Sequence, residues 1–266
     1  MSGVELIPLP STRKHGKHGR EGVFWGLPSK YVRLDGFGAA WQLGVGVQSV
    51  TKETRATSMI GLPVGEFDLV AAAWQCLNKR VKALPSGDDG KADFGILALP
   101  YEHAPKLLAA FAQYYNIEPV FAKAVFKRFH NGGSMHPDAA AESDMREDEL
   151  PCLLELKHVL EKAYRFLAAT DELYKKIFAL PSVQNRETAF AIYLQHLMTD
   201  ALEIVSPDVE EAGLRILAYV FDGVYVLAES EDHLMKSFET IAQKAFAEHH
   251  IKLSLKKADG TKLKDL

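Results

Sequence analysis

The sequence predicts an α+β fold, a short antiparallel sheet with helices packed against it. Three observations carry this expectation. Two β-rich runs, Leu214 to Phe221 and Val224 to Ala228, flank Asp222-Gly223, and Asp-Gly between apolar runs is the strongest short-range hairpin signal. Phe190, Tyr193, Leu194, Leu197, Met198, Ala201 and Val205 fall on one face of a helix from Asn185 to Val205, the pattern of a core-facing helix. Glu66 to Val70 is a short strand, followed at once by the helix-forming run Ala71 to Ala83, which stops before Pro85.

The other elements follow along the chain. Residues 1–30 read as an irregular arm, punctuated by Pro8, Pro10, Gly16, Gly19, Gly22 and Gly26. Gly36 to Gly46 reads as a glycine-rich loop or hairpin, and Gln48 to Ser58 as a short helix. Ala104 to Tyr115 is a helix with Pro105 in its first turn. Pro119 to Phe129 is another, stopped by Asn131-Gly132-Gly133. Pro137 to Glu149 is an acidic surface loop. Leu150 to Ala169 and Asp171 to Leu180 are helical. Ser230 caps a helix that runs to about His249, with Glu231 and Asp232 in its first turn. Ile251, Leu253 and Leu255 alternate as a final strand.

Composition narrows the class. The chain has 266 residues, 47% hydrophobic, 25% charged and 10% aromatic, which excludes disorder over its whole length. Its apolar runs are far shorter than the roughly 20 residues of a spanning helix. Two cysteines, Cys76 and Cys152, make no disulfide scaffold and have no zinc spacing. The N-terminus has no apolar signal region. The expectation is a soluble intracellular protein, neither secreted nor membrane-bound. No phosphate-binding glycine loop and no dinucleotide fingerprint occur.

Net charge is −4, but the charge is uneven. Arg13, Lys14, Lys17, Arg20, Lys30 and Arg33 make the N-terminal segment basic, and Lys252, Lys256, Lys257, Lys262 and Lys264 do the same at the other end. Such segments are phosphate-binding arms or solvated tails.

Three places can carry chemistry. Asp68 stands at the end of a strand and Asp222 at the apex of a hairpin. Alone, Asp68 reads as a helix N-cap and Asp222 as a turn residue. Brought together, two such acids repel, and a divalent cation keeps both ionised. Paired metal ions on carboxylates are the usual machinery for displacement at phosphorus. Lys123, Lys127 and His130 share one helical face, with Arg128 beside them. That face is a solvated surface or a triphosphate grip.

In this order the three places resemble the polymerase motifs of family A DNA polymerases and of single-subunit, phage-type RNA polymerases. Glu66-Phe67-Asp68-Leu69 is similar to motif A, an aspartate ending a strand before a helix. Lys123, with Gly132 nine residues on, is similar to motif B. Val220-Phe221-Asp222-Gly223 is similar to motif C, a hairpin with an aspartate at its tip. Arg33-Leu34 through Gln48 and Arg55 looks like what precedes motif A in small viral relatives, so the resemblance runs from about residue 33.

The resemblance implies a polymerase-like palm, a short antiparallel sheet with packed helices, plus helical fingers and no full thumb. Residues 1–60 would form a basic arm and a segment preceding motif A, 61–85 and 186–266 the palm, and 86–185 the fingers. It implies template-directed nucleotidyl transfer by a two-metal mechanism in a viral or mobile-element setting, primer synthesis included. Asp68 and Asp222 would be catalytic and, with the Leu69 carbonyl, would hold two Mg²⁺ or Mn²⁺ ions. Lys123, Lys127, Arg128, Asn131 and Gly132 would bind the nucleotide. Arg13, Lys14, Lys17, Arg20, Arg33 and Arg55 would contact nucleic acid. The implied partners are a template and primer, nucleoside triphosphates, and replication or assembly proteins.

Four positions depart from the pattern. The glutamate that DNA polymerases of this family carry five residues after the motif A aspartate is Ala73. The glutamine that the phage-type RNA polymerases carry two further on is present as Gln75. The resemblance thus implies a sugar gate at Ala73 and Gln75, with either weak sugar discrimination or a preference for ribonucleotides. Asn131 replaces the motif B tyrosine, Pro119 its arginine, and Phe221 the histidine before the motif C aspartate. Lys127 or Arg128 can substitute for the lost arginine. With room for neither an exonuclease domain nor a long thumb in 266 residues, low processivity is expected unless a partner supplies it. Two other readings stand beside this one: a catalytically degenerate, nucleic-acid-binding or structural component of a larger assembly, and an unrelated α+β protein with coincidental motifs.

Overall fold

The computed structural model of the chain describes residues 7–9, 24–26, 31–34, 36–42, 54, 57–59, 61–84, 104–119, 121–122, 151–220, 222–257 and 261–265. Strand β5 (Val64–Leu69) is the centre of a five-stranded sheet. On one side it pairs with β7 (Gly223–Leu227), which pairs with β6 (Arg215–Val220). On the other it pairs with β8 (Leu253–Lys257), which pairs with β9 (Lys262–Asp265). Every pairing is antiparallel. A strand from early in the chain is therefore held between the two outer strand pairs formed by its end.

The strand period of two gives the sheet two unlike faces. Phe67 and Leu69 point into the main core with Val224, Val226, Leu253 and Leu255. Helices α5 (Arg186–Glu211) and α6 (Glu231–His249) cover that face. Phe67 meets Phe238 of α6 edge-on, with ring centroids 5.2 Å apart, a favoured aromatic geometry. On the other face Val64, Ala218, Val220 and Tyr225 pack with Met59 in a smaller apolar cluster. Beyond that cluster the same face carries Glu66 and Asp68.

The remaining described helices are α1 (Ala72–Ala83), α2 (Ala104–Tyr115), α3 (Pro151–Thr170) and α4 (Glu172–Phe178). Helix α1 packs on α5, and α4 packs on both α5 and α3. Two antiparallel strand pairs precede the sheet: β1 (Ile7–Leu9) with β2 (Phe24–Gly26), and β3 (Tyr31–Leu34) with β4 (Phe37–Gln42). The β3–β4 pair lies on α5. No described helix is long and apolar enough to cross a membrane.

The α+β expectation stands, and several particulars differ. The segment before residue 30, expected to be irregular throughout, contains β1 and β2. The long amphipathic helix was expected to end at Val205 and runs to Glu211 through Pro207. Proline removes one helical N–H, and the carbonyl it would have served belongs to Glu203, on an exposed stretch of the helix where water can replace the bond. Just before it, the Ser206 hydroxyl bonds Leu202 O at 2.7 Å and Tyr219 Oη at 2.7 Å, anchoring that turn to β6. Asp68 is not a helix cap: the N-cap position of α1 is Ala71, at φ 46°, with no side-chain cap bond. Strand β9 was not expected. The helix expected from Pro119 to Phe129 is described only at 119 and 121–122, where it is helical, and the acidic segment 137–149 lies outside the described residues.

Candidate active site at the end of the central strand

The register of β5 brings the two sequence-predicted acids to one corner. Asp68 stands opposite Gly223, and the Leu69 amide donates to the Asp222 carbonyl at 2.9 Å. The acid that ends the early strand and the acid of the late hairpin are thus neighbours across a ladder. Gly223 permits the approach. A Cβ there would lie 3.1 Å from Glu66 Oε1 and 3.2 Å from the Phe67 carbonyl oxygen.

Strand alternation adds a third acid. Glu66 lies two residues before Asp68, on the same face, opposite Tyr225 on one side and Lys256 on the other. Lys256 is the cation of the corner. Its Nζ donates to Asp68 Oδ2 in an ion pair whose side chains are 29% and 13% exposed. Burial works against the Lys256 charge, but the bond to Asp68 and the charges of Asp68, Glu66 and Asp222 outweigh it and raise its pKa. Ser254, opposite Asp68, donates to the Asp68 carbonyl at 3.4 Å.

Neither Glu66 nor Lys256 was singled out for a role from the sequence. The signal was present. Acids at i and i+2 in a strand share a face, and Ser254 and Lys256 alternate with Leu253 and Leu255. What the sequence lacks is the pairing of β5 with β8 that sets Lys256 beside Glu66.

Ala73 sits half-buried in the first turn of α1. Gln75 is engaged by backbone. Its Nε2 donates to Val70 O at 2.7 Å and to Lys252 O at 3.0 Å, and the Lys252 amide donates to its Oε1 at 2.8 Å. The side chain clamps the start of α1 to the residue before β8. Cys76 is buried, and loss of solvation pushes its thiol up to about 12, so it stays an unreactive thiol.

Arg33 faces protein carboxylates. It bonds Asp200 at 2.9 Å and Glu203 at 2.6 Å, and donates to His196 Nδ1 at 2.9 Å, fastening β3 to α5. Burial, aided by the Arg33 charge, lowers the His196 pKa. Its ring accepts from Arg33 as the neutral form can. Lys123, Lys127, Arg128, Asn131, Gly132, Arg13, Lys14, Lys17, Arg20 and Arg55 lie outside the described residues.

Among the described residues, no three His, Cys, Asp or Glu side chains are grouped so as to hold a metal ion by themselves. No protein-family model and no curated protein matches the chain. Among solved structures it is similar to the POL domain of Pol1 from M. smegmatis, in complex with DNA primer-template and dNTP. The identity is 13% and the TM-score 0.44, over 88% of this chain and 48% of that one. The chain spans about half the length of that structure.

Proposed function

We propose that the chain is a metal-dependent nucleotidyltransferase that extends a nucleic acid along a template, with Asp68 and Asp222 as its catalytic pair. The observation that carries this reading is the Leu69–Asp222 backbone bond, with Asp68 opposite Gly223. It joins two acids far apart in sequence on elements that match the motif order. Two acids held at one strand end suit displacement at phosphorus, whose catalysis is mostly positioning and charge stabilisation.

The donors suit a hard divalent cation. Mg²⁺ is usually held by one or two carboxylates, with waters and substrate phosphates completing its shell. A site without three clustered protein ligands is compatible with that habit. The Asp68–Glu66–Asp222 field already attracts a cation, the Lys256 ammonium. Asp68 and Asp222, with the Leu69 carbonyl, are the residues that would hold Mg²⁺ or Mn²⁺. Bound there, the metal would act as a Lewis acid toward a primer 3′-hydroxyl and the triphosphate.

The rest of the assignment is proposed with it. Lys123, Lys127, Arg128, Asn131 and Gly132 would grip the triphosphate from a fingers segment at 86–185, facing a palm at 61–85 and 186–266. Arg13, Lys14, Lys17, Arg20 and Arg55 would follow the nucleic-acid backbone, while Arg33 fastens β3 to α5. The methyl of Ala73 in the first turn of α1 leaves a ribose 2′-hydroxyl room. Gln75 would act through the clamp it makes.

Primer extension on a short template tests the reading, with Mg²⁺ or Mn²⁺ and with ribonucleotides and deoxyribonucleotides offered separately. Wild type should extend and Asp222→Ala should not. Ala73→Glu should shift use toward deoxyribonucleotides, and unchanged ribonucleotide use would remove Ala73 from the sugar gate. The Asp68–Lys256 ion pair favours one second reading, a polymerase-like nucleic-acid-binding or structural component without catalysis. A folded, template-bound wild type that incorporates nothing with either metal would select it.

A further inference from the structure

We propose that Lys256 is the resident counter-ion of the carboxylate corner, and that a divalent cation enters by displacing its ammonium from Asp68. This rests on the reading of Asp68 and Asp222 as metal-holding residues and adds a residue that sets how tightly the metal is held.

The geometry assigns the role. Lys256 comes from β8, beside Glu66 in register and one alternate position from the residue facing Asp68. Its ammonium donates to Asp68 Oδ2, the carboxylate a metal would use. It lies within the fields of Glu66 and Asp222 as well. An ammonium is a strongly hydrated point charge on a flexible four-carbon stem with rotatable donors. It can neutralise the corner when no metal is present and swing aside when one arrives. The ion pair keeps a corner rich in negative charge from repelling itself apart, as two or three neighbouring carboxylates otherwise do. The same charge opposes a divalent cation until the ammonium moves. Lys256 is thus a positioning residue that acts through Asp68.

The test reads metal binding without turnover. Mn²⁺ alone is titrated into the full chain, bound ion being counted from the loss of the free-ion electron paramagnetic resonance signal. Wild type, Lys256→Met, Lys256→Arg and Asp222→Asn are compared, with circular dichroism to check folding. Lys256→Met should bind Mn²⁺ roughly tenfold or more tightly than wild type, because a competing charge at contact distance is gone. Lys256→Arg keeps the charge and should stay near wild type, and Asp222→Asn should weaken binding. Lys256→Gln carries the same expectation as Lys256→Met if the latter does not fold. Asp222-dependent binding that Lys256→Met leaves unchanged or weakens would overturn the role of Lys256 and leave the metal site standing. No Asp222-dependent binding in either wild type or Lys256→Met would overturn both.

Discussion

Gly223 owes its place to Glu66 and Phe67. Asp-Gly is expected to supply a left-handed turn residue, yet the register pairs Val220 with Gly223, and Gly223 is not among the glycines at positive φ. The hairpin was legible because turn chemistry is local; the reason for the glycine was not, because the atoms that exclude a side chain belong to β5. Gly223→Ala should cost about 1–3 kcal/mol, since the Phe67 carbonyl cannot swing away as a side chain can. Denaturant unfolding measures it, and an unchanged midpoint would contradict the close approach. Gln75 and Arg33 teach the same lesson. Gln75 is a candidate through the polymerase resemblance and Arg33 through the basic N-terminal segment, but Gln75 is spent on Val70 and Lys252, and Arg33 on Asp200 and Glu203. Lys252, Asp200 and Glu203 lie far off in sequence, where no local pattern could show them.

At the scale of elements, one buried carboxylate ties three helices. Asp171 caps α4, accepting from the Leu173 amide at 2.8 Å. It also accepts from Arg80 of α1 at 2.8 and 2.9 Å and from the Tyr193 hydroxyl of α5 at 2.7 Å. Burial alone would raise its pKa, but the bonds from Arg80, Tyr193 and Leu173 prevail and lower it. A carboxyl with a lowered folded-state pKa contributes stability that is fully present above its unfolded value, about 3.9. That contribution is lost as pH falls through the folded value. Asp171→Asn should therefore cost about 2–3 kcal/mol at pH 7. This is below the range for a wholly buried pair because Arg80 reaches solvent. The gap from wild type should narrow as pH drops below about 4. Urea unfolding at a series of pH values checks this, and a constant gap would contradict it. The helix start at Ser230 was legible because a cap is written within a few residues. Strand β9 was not, because Lys262, Leu263 and Lys264 carry no buried alternation. Pairing with β8 and an ion pair from Lys264 to Glu239 of α6 hold it.

At the scale of the molecule, topology makes the site. The order β6-β7-β5-β8-β9 puts an early strand between two late ones, and so sets Asp68 beside Asp222 and Lys256 beside both Asp68 and Glu66. The two aspartates were legible as acids at the ends of strand elements. Their meeting is implied only by the motif resemblance, because long-range antiparallel pairing is not written in any local pattern, and Lys256, which the motifs do not include, enters through the same pairing. Single-nucleotide incorporation under single-turnover conditions, with Mg²⁺ and with wild type, Asp68→Asn and Asp222→Asn at equal folded concentration, tests the corner most directly. Loss of a metal-holding carboxylate removes several kcal/mol of charge stabilisation. Each variant should therefore be slower by about a hundredfold or more. Wild-type incorporation that either substitution leaves intact would show that the chemistry, if present, is not at this corner.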